Sequence, residues 1–434
     1  MNVILLSGGS GKRLWPLSND IRSKQFIKIF DNNGVKESMV QRMYRGIKNI
    51  NADAKIVLAT SKTQVSELRN QLGEDVLISV EPSRRDTFPA IALSVSFLHD
   101  LQNVSDEETV VVCPIDPFVE DDYFGALEKL NNIAKKDDSN LVLMGIKPTN
   151  PSEKYGYIIP KTKQEVSKVK VFKEKPDAVT AKKYISQGAL WNSGIFAFKV
   201  GYLLKRAHEL IGFKDYNDLY NKYDELTKIS FDYAVSEKEK NIAVLKFNGT
   251  WEDLGTWSSL TNVMTNNCDG NVVFKKNKNS HVLNELDIPI VCLGARNMIV
   301  AASPEGILVS SLKESDNIKN YVGDFAGIPM FAEKSWGSYK VIDVQKSSVT
   351  RRVLLTAGHE MTYHYHKRRD EVWMIVSGQG EVILDGSHKV VNPGDIVKIT
   401  AGHKHTVKAI DDLIIIEVQI GDYIDVKDKQ KCDL

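Results

Sequence analysis

Near the start of the chain Gly8, Gly9, Ser10, Gly11, Lys12 and Arg13 follow directly on a short apolar run. Glycine turns free backbone N–H groups and allow close approach, so phosphate binding is the chemistry this loop offers, with an ordinary tight turn as the plain alternative. It is not a Walker A loop, because Lys12 is followed by Arg13 and Leu6 stands where the first glycine belongs. The GxGxxG dinucleotide pattern also fails, since Gly9 and Gly11 lead to Leu14. Far downstream, six of the nine histidines fall between His359 and His405. His364 and His366 alternate, so on a strand both imidazoles face one side.

The chain that must position these groups has 434 residues, too many for one ordinary core and suited to two or three domains. With 57 basic against 56 acidic residues the net charge is +1, which lacks the basic footprint of a nucleic-acid binder and suits a small phosphorylated ligand met by a few placed cations. Cys113, Cys268, Cys292 and Cys432 are scattered without a CxxC pair. Neither a disulfide framework nor a cysteine zinc site is indicated, and a reducing cytoplasm is the expected setting. The opening apolar run is too short for a signal peptide or a membrane span and reads as a first β-strand.

Apolar spacing predicts strands over 3–6, 55–60, 76–80 and 109–114, and helices over 38–50, 61–72 and 89–101. Strands alternating with helices imply an α/β fold, a doubly wound and mostly parallel sheet with its ligands at the carboxyl ends of the strands. From about residue 271 the texture changes to short β-like runs (288–292, 298–301, 307–309), read as a small β connector. From about 331 to 421 nearly everything is strand and turn, with 372–376, 381–384 and 413–419 as the clearest runs, so a second, all-β domain is expected. The boundaries are set at 1–265, 266–328 and 329–434.

The longer string GGSGKRLWPLS, Gly8 to Ser18, followed by SKQF from Ser23, resembles the opening signature of sugar-phosphate nucleotidylyltransferases, specifically mannose-1-phosphate guanylyltransferases. EPSRRDTFPAIAL from Glu81, CPIDPF around Asp116, YGYI at Tyr155, FKEKPD from Phe172, WNSGIF from Trp191 and WEDLGTW from Trp251 follow in the family's order. The resemblance covers about the first 260 residues. It implies a Rossmann-like nucleotide-diphospho-sugar transferase fold and transfer of a nucleotidyl group from an NTP, GTP foremost, to a sugar 1-phosphate, mannose 1-phosphate foremost, with release of pyrophosphate. Two polyanions must then be held in line while charge builds on the leaving group. By resemblance Arg13 and Lys24 neutralise the triphosphate, and Asp116 and Asp253 hold Mg²⁺ through hard carboxylate oxygens. Lys175 meets the sugar phosphate, Glu174 and Asn192 the sugar hydroxyls, with Gly156 beside them. Gly8, Gly9, Gly11 and Lys12 cradle the nucleotide, as do Glu81, Arg85, Asp86 and Thr87.

Each such residue alone has a bland reading, as a solvated cation or a strand-end cap. Trp15, Trp191 and Trp257 read as core or loop anchors. The family usually has Pro at Ser23, Asn at Asp86, Ala at Phe88 and His at Pro117. Lys24 and Asp116 survive beside these changes, whereas Asp86 and Phe88 fall in the base-binding segment and leave another base or sugar phosphate open. A non-catalytic nucleotide-sugar-binding regulator is the rival of another class; retention of Arg13, Lys24, Asp116, Lys175 and Asp253 speaks against it.

Gly358, His364, His366, Glu371 and Gly378 stand at the spacing of the first cupin motif, and Gly394, Asp395, Gly402 and His405 resemble the second, with Thr400 where Pro is usual. In a cupin barrel His364, His366, Glu371 and His405 surround a divalent transition metal, and such a set suits Zn, Mn, Fe, Co or Ni. His359, His388 and His403 fall off the pattern. EKSWGSYKVID from Glu333 and IIIEVQIGDY from Ile414 resemble the type II mannose-6-phosphate isomerase domain fused to guanylyltransferases. The family commonly has Arg-Pro-Trp-Gly at Lys334 to Gly337, Gln-Met-His-His-His at His364 to Arg368, and an acidic then arginine-bearing tail that IDVKDKQKCDL lacks. Metal binding is therefore expected more firmly than isomerase turnover. Small-molecule substrates are the expected partners, and the resemblance is compatible with a homo-oligomer.

Overall fold

The computed structural model describes residues 1–8, 11–19, 21–322 and 328–432. The chain divides into two compact units that interleave in sequence. The first comprises Met1–Gly9, Lys28–Val65 and Asp75–Gly255; the second comprises Ser10–Ile27, Ser66–Glu74 and Thr256–Leu434.

The first unit is built on a nine-stranded sheet. Its strands in chain order are β1 (Asn2–Ser7), β2 (Lys55–Ser61), β3 (Leu77–Glu81), β4 (Thr109–Pro114), β6 (Leu141–Ile146), β7 (Tyr157–Pro160), β8 (Val166–Lys173), β9 (Leu190–Lys199) and β10 (Ile242–Phe247), β5 being a short strand outside it at Pro117–Val119. The spatial order is β3-β2-β1-β4-β9-β6-β10-β8-β7. β1 lies parallel to β2 and β4, β2 to β3, and β6 to β10, while β9 runs against both β4 and β6. β8 runs against both β10 and β7, so the sheet is mixed, parallel through β3, β2, β1 and β4 and between β6 and β10, antiparallel elsewhere. Its central strands are buried continuous apolar runs because both faces are covered. One core packs Ile4, Val57, Val110, Val112, Leu141 and Leu143 with Ile91, Leu93 and Val95 of the helix Thr87–Ser96.

The helix expected over 38–50 forms at Met39–Ile50, started by Ser38 and Gln41, which cap each other's backbone N–H groups. The helix expected over 89–101 begins earlier, at Thr87. Asp86, at φ +70°, accepts a hydrogen bond from Thr87 N and caps the helix, whose Pro89 lies beyond that first residue.

In the second unit, β12 (Cys268–Asp269), β14 (His281–Asn284) and β16 (Met298–Ser303) stack in parallel, β17 (Gly306–Ser311) closing that sheet, and β13 (Val272–Lys275) pairs in parallel with β15 (Ile290–Leu293). The barrel that follows has a six-stranded and a five-stranded sheet. The first orders β18 (Phe331–Lys334), β19 (Gly337–Gln345), β20 (Ser348–Leu355), β27 (Leu413–Gly421), β22 (Arg369–Ser377) and β25 (Ile396–Ile399). The second orders β24 (Ser387–Val391), β23 (Gly380–Leu384), β26 (His405–Ala409), β21 (His364–His366) and β28 (Lys429–Lys431). Alternation along these strands sends Val349, Val353, Trp373, Ile375, Leu413 and Ile415 into one interior core.

The early segments Ser10–Ile27 and Ser66–Glu74 are tied into this second unit. Arg22, 8 % exposed, donates to Glu285 Oε2 at 2.7 Å and to Leu17 O at 3.3 Å, and Gln71 Nε2 donates to Glu333 Oε2 at 2.6 Å. Removing the arginine leaves a partly desolvated carboxylate, so Arg22→Ala should cost about 3 kcal/mol, read as a lower urea midpoint with unchanged slope. Among the described residues no helix is long and apolar enough to cross a membrane.

Candidate functional site

Asp116 lies between β4 and β5, and β5 pairs antiparallel with β11 (Trp251–Asp253), with Asp253 opposite Pro117. That register brings the Asp116 and Asp253 carboxylates to one cavity of about 210 Å³, whose walls include Lys154, Tyr155, Gly156, Glu174, Asn192 and Asp232. The Tyr155 phenol is pushed above its usual pKa by burial and then by the charges of Asp253 and Asp116, so both carboxylates act on one ring. Two adjacent carboxylates supply the hard oxygens that Mg²⁺ prefers.

β9 contributes Asn192, Ser193 and Gly194 to the same cavity. Its pairing with β6 is interrupted between Asn192 and Phe196, a bulge that re-aims side chains. Asn192 N donates to Gly156 O at 2.8 Å and its Nδ2 to Asp232 Oδ1 at 2.8 Å. Glu174 is 5 % exposed; one carboxylate oxygen lies 2.9 Å from Lys175 Nζ, and the other is buried with no hydrogen-bond partner among the described residues. A buried carboxylate oxygen without a donor is costly unless a ligand hydroxyl or water completes it. Burial works against the charge of Lys175, but the hydrogen bond and charge of Glu174 outweigh it and raise the pKa. Gly156 leaves room for this arrangement, since a Cβ there would sit 2.5 Å from Glu174 Oε2 and 3.2 Å from Asn192 Cβ. Gly156→Ala should therefore raise the KM for the sugar phosphate about tenfold or more, with the nucleotide KM nearly unchanged. Equal rises in both would place the glycine's effect elsewhere.

Asp232 was not anticipated from the sequence, where it sits in an undistinguished SFDYAV stretch. Burial, and then the charge of Glu174, push its carboxyl up to about 7, against hydrogen bonds from Asn192 and Ser236. A carboxyl whose folded pKa lies above its unfolded value stabilises the fold fully at acid pH and loses that contribution as pH rises through about 7. Asp232→Asn should remove this dependence, so the stability difference between variant and parent should shift in the variant's favour between pH 5 and 7.5 in urea titrations. A difference independent of pH would mean that Asp232 titrates normally.

Gly8 follows the first strand in the first unit, whereas Gly11, Lys12 and Arg13 form a one-turn helix, Gly11–Leu14, of the second unit, with Arg13 exposed. Lys24, half-buried, opens the turn Lys24–Phe26, also in the second unit. Gly9 and the Lys12 side chain lie outside the described residues. Glu81, Arg85, Asp86 and Thr87 form a separate group in the first unit, away from the lining of the Asp116 cavity. Tyr223 OH donates to Glu81 Oε2 at 2.8 Å, Arg85 donates to Asp224 O, and Phe231 N donates to Thr87 Oγ1 at 2.8 Å. Of the tryptophans, Trp257 is fully buried and donates from Nε1 to Trp15 O, and Trp191 is buried against Tyr155.

In the barrel, His364 pairs with His405 across β21 and β26, and the three imidazoles of His364, His366 and His405 present ligand atoms within 4.8 Å of one another. His364 Nδ1 lies 2.6 Å from Thr362 O and His405 Nδ1 2.9 Å from His403 O, which commits each Nδ1 as donor and leaves Nε2 as a lone pair. His405 Nε2 is buried without a hydrogen-bond partner among the described residues, as an unfilled ligand position would be. Glu371 reaches the same point from β22, its oxygens 3.0 Å from His366 Nε2 and 3.5 Å from His405 Nε2. Trp373 Nε1 at 3.1 Å and Gln419 Nε2 at 3.2 Å hold this carboxylate. Burial, then Lys429 and the other two imidazoles, drive the His364 pKa down to about 2, so the ring is neutral and able to ligate. Burial opposes the charge on Glu371, but His366 and the Arg369 guanidinium hold its pKa well below the usual carboxylate range. The residues fit a metal ion. Arg369 flanks them, with Nη2 3.2 Å from His366 Nε2 and Nε 3.2 Å from Glu371 Oε1, and a metal would have to displace those contacts.

Residues 2–270 match the family model described as Nucleotidyl transferase, and residues 330–433 match that described as Mannose-6-phosphate isomerase C-terminal. The chain belongs to the nucleotidyl transferase family, and it joins to that enzyme class a domain of the isomerase C-terminal type. It is 30 % identical to the xanthan biosynthesis protein XanB of Xanthomonas campestris pv. campestris (strain B100), over 97 % of this chain and 96 % of that one. It is 26 % identical to a mannose-1-phosphate guanylyltransferase of Escherichia coli (strain K12), over 98 % and 96 %. A solved structure from Thermus thermophilus, described as mannose-1-phosphate geranyltransferase, superposes with a TM-score of 0.62 at 27 % identity, covering 75 % of this chain and 99 % of that one.

Proposed function

We propose that the chain transfers the guanylyl group of GTP to mannose 1-phosphate, giving GDP-mannose and pyrophosphate. The observation that carries this reading is the meeting of Asp116 and Asp253 with Glu174, Asn192 and Gly156 around one cavity of about 210 Å³. Its mannose and guanine parts come from the names of the relatives. Asp116 and Asp253 would hold Mg²⁺, which would supply charge neutralisation for the two phosphates. Glu174 accepts a sugar hydroxyl through its unpartnered oxygen, Asn192 is held by Asp232, and Lys175 meets the attacking phosphate. Arg13 and Lys24 counter the charge of the triphosphate. Gly8, Gly9, Gly11 and Lys12 cradle it, and Glu81, Arg85, Asp86 and Thr87 select the base. In this division 1–265 is the transferase, 266–328 the connector and 329–434 the cupin.

A panel of GTP, ATP, CTP and UTP against mannose, glucose and N-acetylglucosamine 1-phosphates tests the specificity. GTP with mannose 1-phosphate should give the highest kcat/KM by at least about tenfold. A different preferred pair would keep the class and replace the substrates.

For the barrel, the convergence of His364, His366, Glu371 and His405 favours a second activity, metal-assisted interconversion of fructose 6-phosphate and mannose 6-phosphate. His364, His366, Glu371 and His405 would hold a divalent transition metal, which would supply Lewis-acid polarisation of the sugar's carbonyl. Carbon-bound hydrogen exchange into mannose 6-phosphate in deuterated buffer tests this reading; metal bound without exchange would leave a binding domain.

A further inference from the structure

The C-terminal strand β28 lies beside the metal-ligand strand. Lys431 pairs with His364 and Lys429 with His366, and His364 pairs on its other side with His405. Directly paired residues of antiparallel strands project to the same face. Lys429 and Lys431 therefore stand on the face where the three imidazoles converge, Lys429 partly buried and Lys431 exposed, so that the row leads from the ligands to solvent.

The opposite sheet adds Arg351 of β20, paired with Glu417 and 4.8 Å over the Tyr339 ring, with its Nε buried and unpartnered among the described residues. Lys334 stands over the same ring at 5.9 Å; burial lowers its pKa, against the attraction of Glu67 and together with repulsion from Arg351 and Lys431. Lys429 feels attraction from Glu371 and Glu417 and repulsion from Lys431 and Arg369, but makes no hydrogen bond or ion pair among the described residues. A solvated tail would let its lysines separate. Here cations that repel one another are folded together beside a buried ligand set, which is costly unless an anion joins them. Ammonium groups on flexible stems suit a compact, multiply charged phosphate.

We propose that Lys429, with Lys431, Arg351 and Lys334 around it, is the phosphate-binding subsite of the barrel, holding a phosphorylated monosaccharide so that its sugar oxygens face His364, His366, Glu371 and His405. The assignment rests on the reading of the barrel as a sugar-phosphate isomerase and names the residues of this chain that would recognise the phosphate.

Cobalt(II) loaded into the full chain provides a local reporter, because its visible absorption changes when a ligand enters its site. Mannose 6-phosphate should titrate that band to saturation, and unphosphorylated mannose should bind at least about tenfold more weakly. Lys429→Met should weaken mannose 6-phosphate about tenfold or more without changing cobalt content or the weak response to mannose, and Lys429→Arg should recover part of the loss. Lys346→Met, an exposed lysine outside the row, should leave the titration unchanged. If Lys429→Met retains its cobalt and titrates as the parent does, the subsite is overturned while the isomerase reading stands. If the cobalt-loaded parent responds to no sugar phosphate, both fall together.

Discussion

Asp116→Asn should lower nucleotidyl transfer by about three orders of magnitude or more while leaving the unfolding midpoint within the range of ordinary surface changes. The side chains are nearly the same size, so the cavity keeps its shape, but the charge that offsets Mg²⁺ is gone. Asp116 and Asp253 share one wall through the pairing of β5 with β11, so losing either leaves a single carboxylate against a divalent ion and two polyanions. The loss should appear mainly in kcat and be partly relieved at high Mg²⁺, because weaker affinity can be overcome by mass action while lost alignment cannot. Turnover within about tenfold of the parent at ordinary Mg²⁺ would remove Asp116 from the reacting centre.

Replacing His364 and His366 together by alanine should empty the barrel of metal, from close to one ion per chain to none detectable by elemental analysis, and abolish any isomerase activity. Both rings are buried, and in the parent burial and neighbouring positive charge keep His364 neutral and available as a ligand. Nucleotidyl transfer should persist within about threefold, because neither histidine is among the residues assigned to transfer or lines the Asp116 cavity. Metal retained by the double variant would place the ion elsewhere. Transfer lost with the fold intact would tie the two activities together.

What the sequence disclosed and what it withheld divide by range. The strands at Asn2–Ser7, Lys55–Ser61 and Thr109–Pro114 were visible because a strand buried on both faces must be apolar throughout. That His364 and His366 share a face was legible because alternation along one strand dictates it, and His405 joins them from the neighbouring strand. Asp232 was not, since its environment is made by Asn192, forty residues earlier, and Glu174. Nor was the role of β28: IDVKDKQKCDL reads as a charged tail until its pairing with β21 aligns Lys429 and Lys431 with the histidines. The packing of Ser10–Ile27 with the second unit was equally hidden, because the buried Arg22–Glu285 pair spans more than two hundred residues.

The central claim is attack by a sugar phosphate on the α-phosphorus of a nucleoside triphosphate, and following labelled GTP tests it most directly. With mannose 1-phosphate and Mg²⁺ present, label at the α-phosphorus should pass into GDP-mannose and label at the γ-phosphorus into pyrophosphate, in equal amounts, and neither transfer should occur with Asp253→Asn. Release of the γ label as inorganic phosphate, or an α label that remains in free nucleotide while GTP is consumed, would contradict the account.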